Sequence, residues 1–273
     1  MIKELAHAKI NLALDVVKKR KDGYHELQMI MIPIDLSDVL EFENFDSIVL
    51  ESNVEIEDNV VIKTAKRMQT KYNIETGVKI KLTKKIPIGA GLGGGSADIA
   101  ATLRGLNRLW KLNLELEDLE EIALELGSDT LFCLYDKSAL VYGRGENLLF
   151  VDTPDIGNIY LLTSNVNVST DQVFKHYKGR YKANQFDKLF RNYLNQKYDI
   201  FFKKTYNKLT KTTLKCYPSL KTIYQTAKKI DSNALMSGSG STFYILTNKQ
   251  NENILVDKLK KYGVQYLKTG PKA

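Results

Sequence analysis

The chain has 273 residues, of which 43% are hydrophobic and 26% charged, the balance of a soluble globular protein with ample core in one large domain or two modest ones. No stretch is long enough to span a membrane, no signal-peptide pattern opens the chain, and Cys133 and Cys216 form neither a disulfide framework nor a metal cluster; this predicts a cytoplasmic protein with reduced thiols. The net charge of +8, with many lysines between Lys175 and Lys229, reads as a solvated surface that favours anionic small molecules, since the lysines are interspersed with acids and no nucleic-acid module is present.

In chain order, alternating apolar segments at 8–14, 48–50, 78–82, 138–142 and 159–163 predict strands. Helical periodicity predicts helices over 59–72, 97–111 and 116–126. A Pro/Gly/Asp cluster from Thr153 to Asn158 marks a break. Beyond it Pro218 opens a helix, a short strand follows at 243–246, and a helix covers 252–262. Strands and helices do not alternate regularly, which argues for an α+β fold. The break near residue 154 divides the chain into 1–154 and 155–273.

The most informative segment is Ile86-Pro-Ile-Gly-Ala-Gly-Leu-Gly-Gly-Gly-Ser-Ala-Asp98, with a strand before it and a helix after it. Such a turn offers unpaired N–H groups and a positive dipole end, and its glycines let a polyphosphate lie against the main chain. It is not the P-loop pattern, which ends in Gly-Lys-Ser/Thr, and a G-x-G-x-x-G through Gly89, Gly91 and Gly94 is a weak match inside a glycine run. A second cluster, Met236-Ser-Gly-Ser-Gly-Ser-Thr242, precedes the strand at 243–246 and adds N–H groups and hydroxyls suited to the same phosphates.

The order of these segments resembles the GHMP kinase superfamily of small-molecule kinases, over nearly the whole chain. Ala8-Lys9-Ile10-Asn11-Leu12, Arg20 and Asp22-Gly23-Tyr24-His25-Glu26 look like its first motif, and 87–98 like its phosphate loop. Gly127-Ser128-Asp129, Gly143-Arg144-Gly145-Glu146, Ser169-Thr170 and 234–242 match the later landmarks. The first and fourth of these narrow the match to the branch acting on a cytidine-diphosphate-linked methylerythritol in non-mevalonate isoprenoid synthesis. The resemblance implies a ribosomal protein S5-like N-terminal domain for ATP binding and catalysis and a ferredoxin-like C-terminal domain for substrate, with ATP and substrate in the cleft between them. The implied reaction moves the γ-phosphate of ATP, as its Mg²⁺ complex, to the substrate's 2-hydroxyl. The implied partners are small molecules alone, in a monomer or weak homodimer. A homoserine, mevalonate or galactose type of kinase, or a nucleotide-binding relative with little activity, is the alternative.

Residue by residue, Asp129 reads from its context as either a helix cap or a general base, and the resemblance assigns it catalysis. Lys9 has the parity of a solvent-facing strand residue, opposed to Ile10 and Leu12; the resemblance makes it the electrostatic partner of Asp129. Pro87, Gly89, Ala90, Gly91, Leu92, Gly93, Gly94, Gly95 and Ser96 hold ATP by the same likeness. Asn59 reads as a simple N-cap, and the resemblance implies a contact near adenine. Tyr24 and His25 read by themselves as a surface tyrosine and a satisfied histidine; the resemblance implies that they and Phe174 hold the pyrimidine through stacking and edge hydrogen bonds, with Asn11, Ser237 and Gly238 completing the substrate contacts. No residues are assigned to a metal. Three positions depart from the family pattern: His7 replaces a proline, Thr130-Leu131 replaces an aliphatic-proline pair after the catalytic aspartate, and Lys208 replaces the aspartate of Asn-Asp-Leu.

Overall fold

A computed structural model describes residues 1–182 and 184–272. They form two compact units: the first contains Met1–Ala8, Leu36–Pro87 and Gly93–Lys137, the second Lys9–Asp35, Ile88–Leu92 and the chain from Ser138 on. Strands β1 (Ile2–Lys19) and β2 (His25–Phe45) pair with each other and contribute to both units. Among the described residues, no helix is long and apolar enough to cross a membrane.

In the first unit, β3 (Ile48–Ser52) runs parallel to β4 (Gly77–Thr83), which pairs antiparallel with Val39–Phe45 of β2. Helices α1 (Val60–Tyr72), α2 (Gly94–Leu109), α3 (Leu116–Leu126) and α4 (Thr130–Tyr135) complete it, α2 packing against both α1 and α4. Gly105 permits the close approach of α2 to β2, since a Cβ there would lie 2.4 Å from the Phe42 ring. The first turn of α2 takes in Gly94, Gly95 and Ser96, three residues ahead of the start predicted from periodicity. Periodicity tracks the buried stripe, and that stripe begins only at Ala97.

In the second unit, β5 (Ala139–Gly143) lies between Leu27–Met31 of β2 and β6 (Asn147–Phe150), antiparallel to both. There follow β7 (Asn158–Leu162), α5 (Thr170–His176), α6 (Gln185–Leu194), α7 (Tyr198–Lys204), α8 (Thr210–Cys216), α9 (Leu220–Ile230), β8 (Leu235–Met236), β9 (Phe243–Thr247), α10 (Glu252–Lys261) and β10 (Tyr266–Thr269). The last four strands form an antiparallel sheet in the order β10-β7-β9-β8.

Strand β2 is the largest element without a counterpart in the sequence patterns. Met29–Ile34 are buried on both faces, so no polar-apolar alternation marks them. Pro33 in their midst reads as a break, yet its carbonyl accepts from the Lys272 N–H at 3.1 Å, and Asp35 N–H donates to Gly270 at 3.0 Å. The C-terminal segment supplies the pairing that makes the proline compatible with a strand.

Candidate active site

The glycine loop leaves the second unit after Leu92 and enters the first at Gly93. Within the second unit its four consecutive carbonyls, Gly89 to Leu92, each accept a protein donor. Val168 N–H takes Gly89 at 3.1 Å and Thr242 N–H takes Ala90 at 3.1 Å. Ser237 Oγ takes Gly91 and Lys9 N–H takes Leu92, both at 2.9 Å. Gly91 must be glycine, because its φ is +75° and a Cβ would sit 2.3 Å from the Ser237 carbonyl. The two Gly/Ser clusters are thus joined by direct bonds.

Within the first unit, Gly93 (φ +74°) is the N-cap of α2, with no side-chain cap and no acidic residue in the first turn. The positive end of the helix is therefore left uncompensated, which suits an anion. A Cβ at Gly95 would meet nothing within 4 Å, so the surface there is open. Pro87 and Ser96 belong to the same unit. A Cβ on Gly127 would approach Ser96 Oγ at 3.5 Å, which brings the segment carrying Asp129 beside the end of the loop.

Asp129 occupies the N-cap position of α4, but its side chain makes no capping bond. Of the two readings open in the sequence, the cap therefore has no support in the geometry. His7 compensates locally for the departure at its position: its Nδ1 is 2.7 Å from Asp136 Oδ2, just past α4.

Lys9 is buried, 3% exposed, rather than solvent-facing as its parity suggests. Ala8, Lys9, Ile10, Asn11 and Leu12 are all buried, so β1 is covered on both faces and parity carries no information about solvent. The Lys9 ammonium donates to Asn11 Oδ1 at 2.9 Å. Asn11 Oδ1 also accepts Gly238 N–H at 2.9 Å, and Tyr244 Oη donates to the Asn11 carbonyl at 2.8 Å. Lys9, Asn11, Ser237, Gly238 and Gly89–Leu92 thus form one bonded group in the second unit.

The same unit gathers the predicted ring set. The turn between β1 and β2 is closed by Arg20 N–H to the Tyr24 carbonyl, 2.8 Å. His25 stacks on Phe174 of α5 with centroids 5.1 Å apart and planes 28° from parallel. Burial, then the charge of Lys19, lowers the pKa of His25, which keeps the ring neutral with one donor and one acceptor nitrogen. Tyr24 is 50% exposed, with the Arg144 guanidinium 5.1 Å over its ring. Arg20 bonds Asp22 at 3.0 Å and Glu146 at 3.0 Å, so the two family signatures meet as an ion-pair scaffold under the tyrosine.

Sequence reasoning missed two features. Tyr177 stands edge-on to His25 at 6.1 Å, three residues after Phe174 and so on the same side of the helix end. Lys84 bridges Asp38 at 2.5 Å and Asp98 at 2.7 Å, almost wholly buried. Asp38 Oδ1 also accepts the Lys85 and Ile86 N–H groups. This triad fixes the strand exit before the glycine loop to the helix after it. Nothing in a single sequence pairs residues so far apart.

Asn59 does act as an N-cap, its Oδ1 accepting Val61 N–H at 2.9 Å. It also lines a cleft of about 630 Å³ in the first unit with Leu50, Ser52, Val54, Ile56 and Ile62, rimmed by Lys63 and Lys66. Glu55 and Asp58 also line it, so four aliphatic side chains stand among polar and charged ones, a mixed lining able to take a flat heterocycle by its apolar part.

Residues 59–137 match the family model of the GHMP kinases N terminal domain and residues 184–265 that of the GHMP kinases C terminal domain. The 4-diphosphocytidyl-2-C-methyl-D-erythritol kinase of Bacillus pumilus (strain SAFR-032) is 41% identical over 259 residues, covering 92% of this chain and 90% of that one. The enzyme of that name from Bacillus subtilis (strain 168) is 39% identical over 266 residues, with the same coverage. A crystal structure of 4-(cytidine 5'-diphospho)-2C-methyl-D-erythritol kinase superposes with a TM-score of 0.77 at 27% identity, covering 99% of this chain and 100% of the other. Homoserine kinase from Cytophaga hutchinsonii, at 18% identity, TM-score 0.76 and coverage of 98% and 94%, shares the fold.

Proposed function

This chain is a member of the GHMP kinase family, and from that membership we propose that it transfers the γ-phosphate of ATP to the 2-hydroxyl of 4-diphosphocytidyl-2-C-methyl-D-erythritol, a step of non-mevalonate isoprenoid precursor synthesis. The observation that carries the choice of acceptor is the ring set of Tyr24, His25, Phe174 and Tyr177. A kinase for homoserine, mevalonate or another small aliphatic alcohol has no flat ring to recognise. A cytidine base has two faces for stacking and an edge for the neutral imidazole.

The γ-phosphoryl oxygens lie along the glycine loop and the uncapped start of α2, where backbone N–H groups and the helix dipole offset their charge. The adenine occupies the cleft beside Asn59. Asp129 takes the proton of the acceptor hydroxyl as its oxygen bonds to phosphorus and the bond to the β-phosphate oxygen breaks, releasing ADP. The Lys9 ammonium stabilises the negative charge that builds on the reacting oxygens. Residues 1–154 then carry nucleotide and catalysis, and 155–273 complete the substrate site with Phe174, Ser237 and Gly238.

Among the described residues, no three His, Cys, Asp or Glu side chains converge to hold a metal. Mg²⁺ would come with ATP and would screen the charge of the polyphosphate. The testing experiment is ATP turnover by the purified protein against the cytidine-linked alcohol, homoserine, mevalonate and galactose. Turnover confined to the first supports the proposal; turnover of another alcohol, or none with ATP still bound, overturns it.

A further inference from the structure

The segment 206–208 is laid along β1 by two backbone bonds, Leu14 N–H to the Tyr206 carbonyl at 2.9 Å and Lys208 N–H to the Leu14 carbonyl at 3.0 Å. This places the buried side chain of Asn207 under the second glycine cluster. One amide hydrogen goes to the Met236 carbonyl at 2.8 Å and the other to the Gly238 carbonyl at 2.7 Å. The amide oxygen accepts Leu209 N–H at 2.9 Å. Both donors and the acceptor are engaged, so the group cannot rotate without losing bonds in a buried site.

Gly238 is consequently held at both ends, its carbonyl by Asn207 and its N–H by Asn11 Oδ1, the atom that also receives the Lys9 ammonium. The fit is tight. Gly238 has φ +54°, and a Cβ there would lie 2.8 Å from the Gly91 carbonyl and 3.2 Å from Lys9 Nζ. A shift of the Gly238 peptide therefore moves Asn11, the wall beside Lys9 and the carbonyl of the phosphate loop together.

We infer that Asn207 is a positioning residue for catalysis, acting through Gly238 and Asn11 to fix the ammonium of Lys9. The inference rests on the role proposed above for Lys9. The amide of Asn207 is buried and spent on protein partners, so its removal changes where Lys9 sits rather than what binds. Small misplacements of a catalytic group cost about 10²-fold in rate.

Three arms test this. In the kinetic arm, Asn207→Asp, which keeps the shape and replaces both donors, lowers kcat about 10²-fold with KM for ATP and alcohol within about threefold. Asn207→Ser serves if the aspartate variant does not fold. In the coupling arm, Asn207→Asp adds less than about threefold to the loss already caused by Asn11→Ala, since the two act in series. In the spectroscopic arm, which needs no substrate, the Cε resonance of Lys9 in ¹³C-lysine protein, assigned by its loss in Lys9→Met, shifts in Asn207→Asp and stays in place in Leu220→Ala, a core control for general destabilisation. An unchanged kcat, a fall in kcat matched by Leu220→Ala, multiplying effects in the double variant, or an unmoved Lys9 resonance each overturn the inference. If the wild type turns over no alcohol, the kinase reading fails while the resonance still decides whether Asn207 positions Lys9.

Discussion

Lys208 sets its ammonium 2.9 Å from Oδ1 of Asp15, a carboxylate on β1 with no solvent exposure. The Tyr206 hydroxyl donates to the other oxygen of the same group, and burial first, then that bond to Asp15, holds the tyrosine proton far above its usual range. The lysine that departs from the family's Asn-Asp-Leu pattern thus neutralises a buried acid in this chain. Removing one partner of a buried pair strands the other charge. Lys208→Ala is expected to cost about 3 kcal/mol in urea unfolding, and Lys208→Ala with Asp15→Asn to recover most of it. An independent, additive effect of the two changes would show that the pair is not coupled.

The glycines of the loop before α2 separate into those required by the fold and those left open. Gly91→Ala forces a methyl into the Ser237 carbonyl at a positive φ, so both stability and turnover should fall. Gly95 lies in the first turn of α2 with open space above it. Gly95→Ala should stabilise the fold by up to about 1 kcal/mol through helix propensity. It should also raise KM for ATP about tenfold if phosphate oxygens lie against that surface. Thermal melts and ATP titrations read the two effects separately, and an unchanged KM would place the phosphates elsewhere.

Asp129→Asn should reduce kcat by about 10²- to 10⁴-fold, the range for loss of a general base. Lys9→Ala should also lower kcat, and it should destabilise the chain, because Lys9 is buried and bonded to Asn11. A variant of Asp129 that keeps wild-type kcat would remove the aspartate from the mechanism.

Asp98 gives a pH dependence of stability. Burial, opposed in part by Lys84 and reinforced by the charge of Asp38, pushes its carboxyl up to about 7 from 3.8. Between roughly pH 4 and 7 the folded chain holds a proton that the unfolded chain has released, so this group's contribution falls as pH rises and is fully lost above 7. Asp98→Asn removes the dependence. Its stability relative to the wild type should climb by at most about 1.4 kcal/mol per pH unit across that window and then level off. Urea unfolding at pH 5, 6, 7 and 8 measures the difference, and a flat difference would show that Asp98 is ionised throughout.

The glycine turn was legible from the chain, as were the strand β4 before it and the helix after it, whereas Tyr24, His25 and Phe174 were singled out only by the family resemblance. Glycine density, a period of two and a period of 3.6 are properties of neighbouring residues. Local context by itself favoured the cap for Asp129, because capping is so common after such a turn, and only the resemblance put the base first. It misplaced Lys9, because alternation reports on solvent only where one face of a strand is wet.

What the amino-acid sequence determined by itself, then, is the set of local devices: a glycine-rich turn, a helix start without acids, a turn carrying Tyr24 and His25, and the segment order shared with the GHMP kinases. Only the tertiary structure decided which distant residues hold those devices in place. Asn207 reaching Gly238, Lys84 joining Asp38 to Asp98, and Lys208 meeting Asp15 pair side chains from separate elements. Their energies depend on burial and on distances of about 3 Å, which the order of residues along a chain does not record.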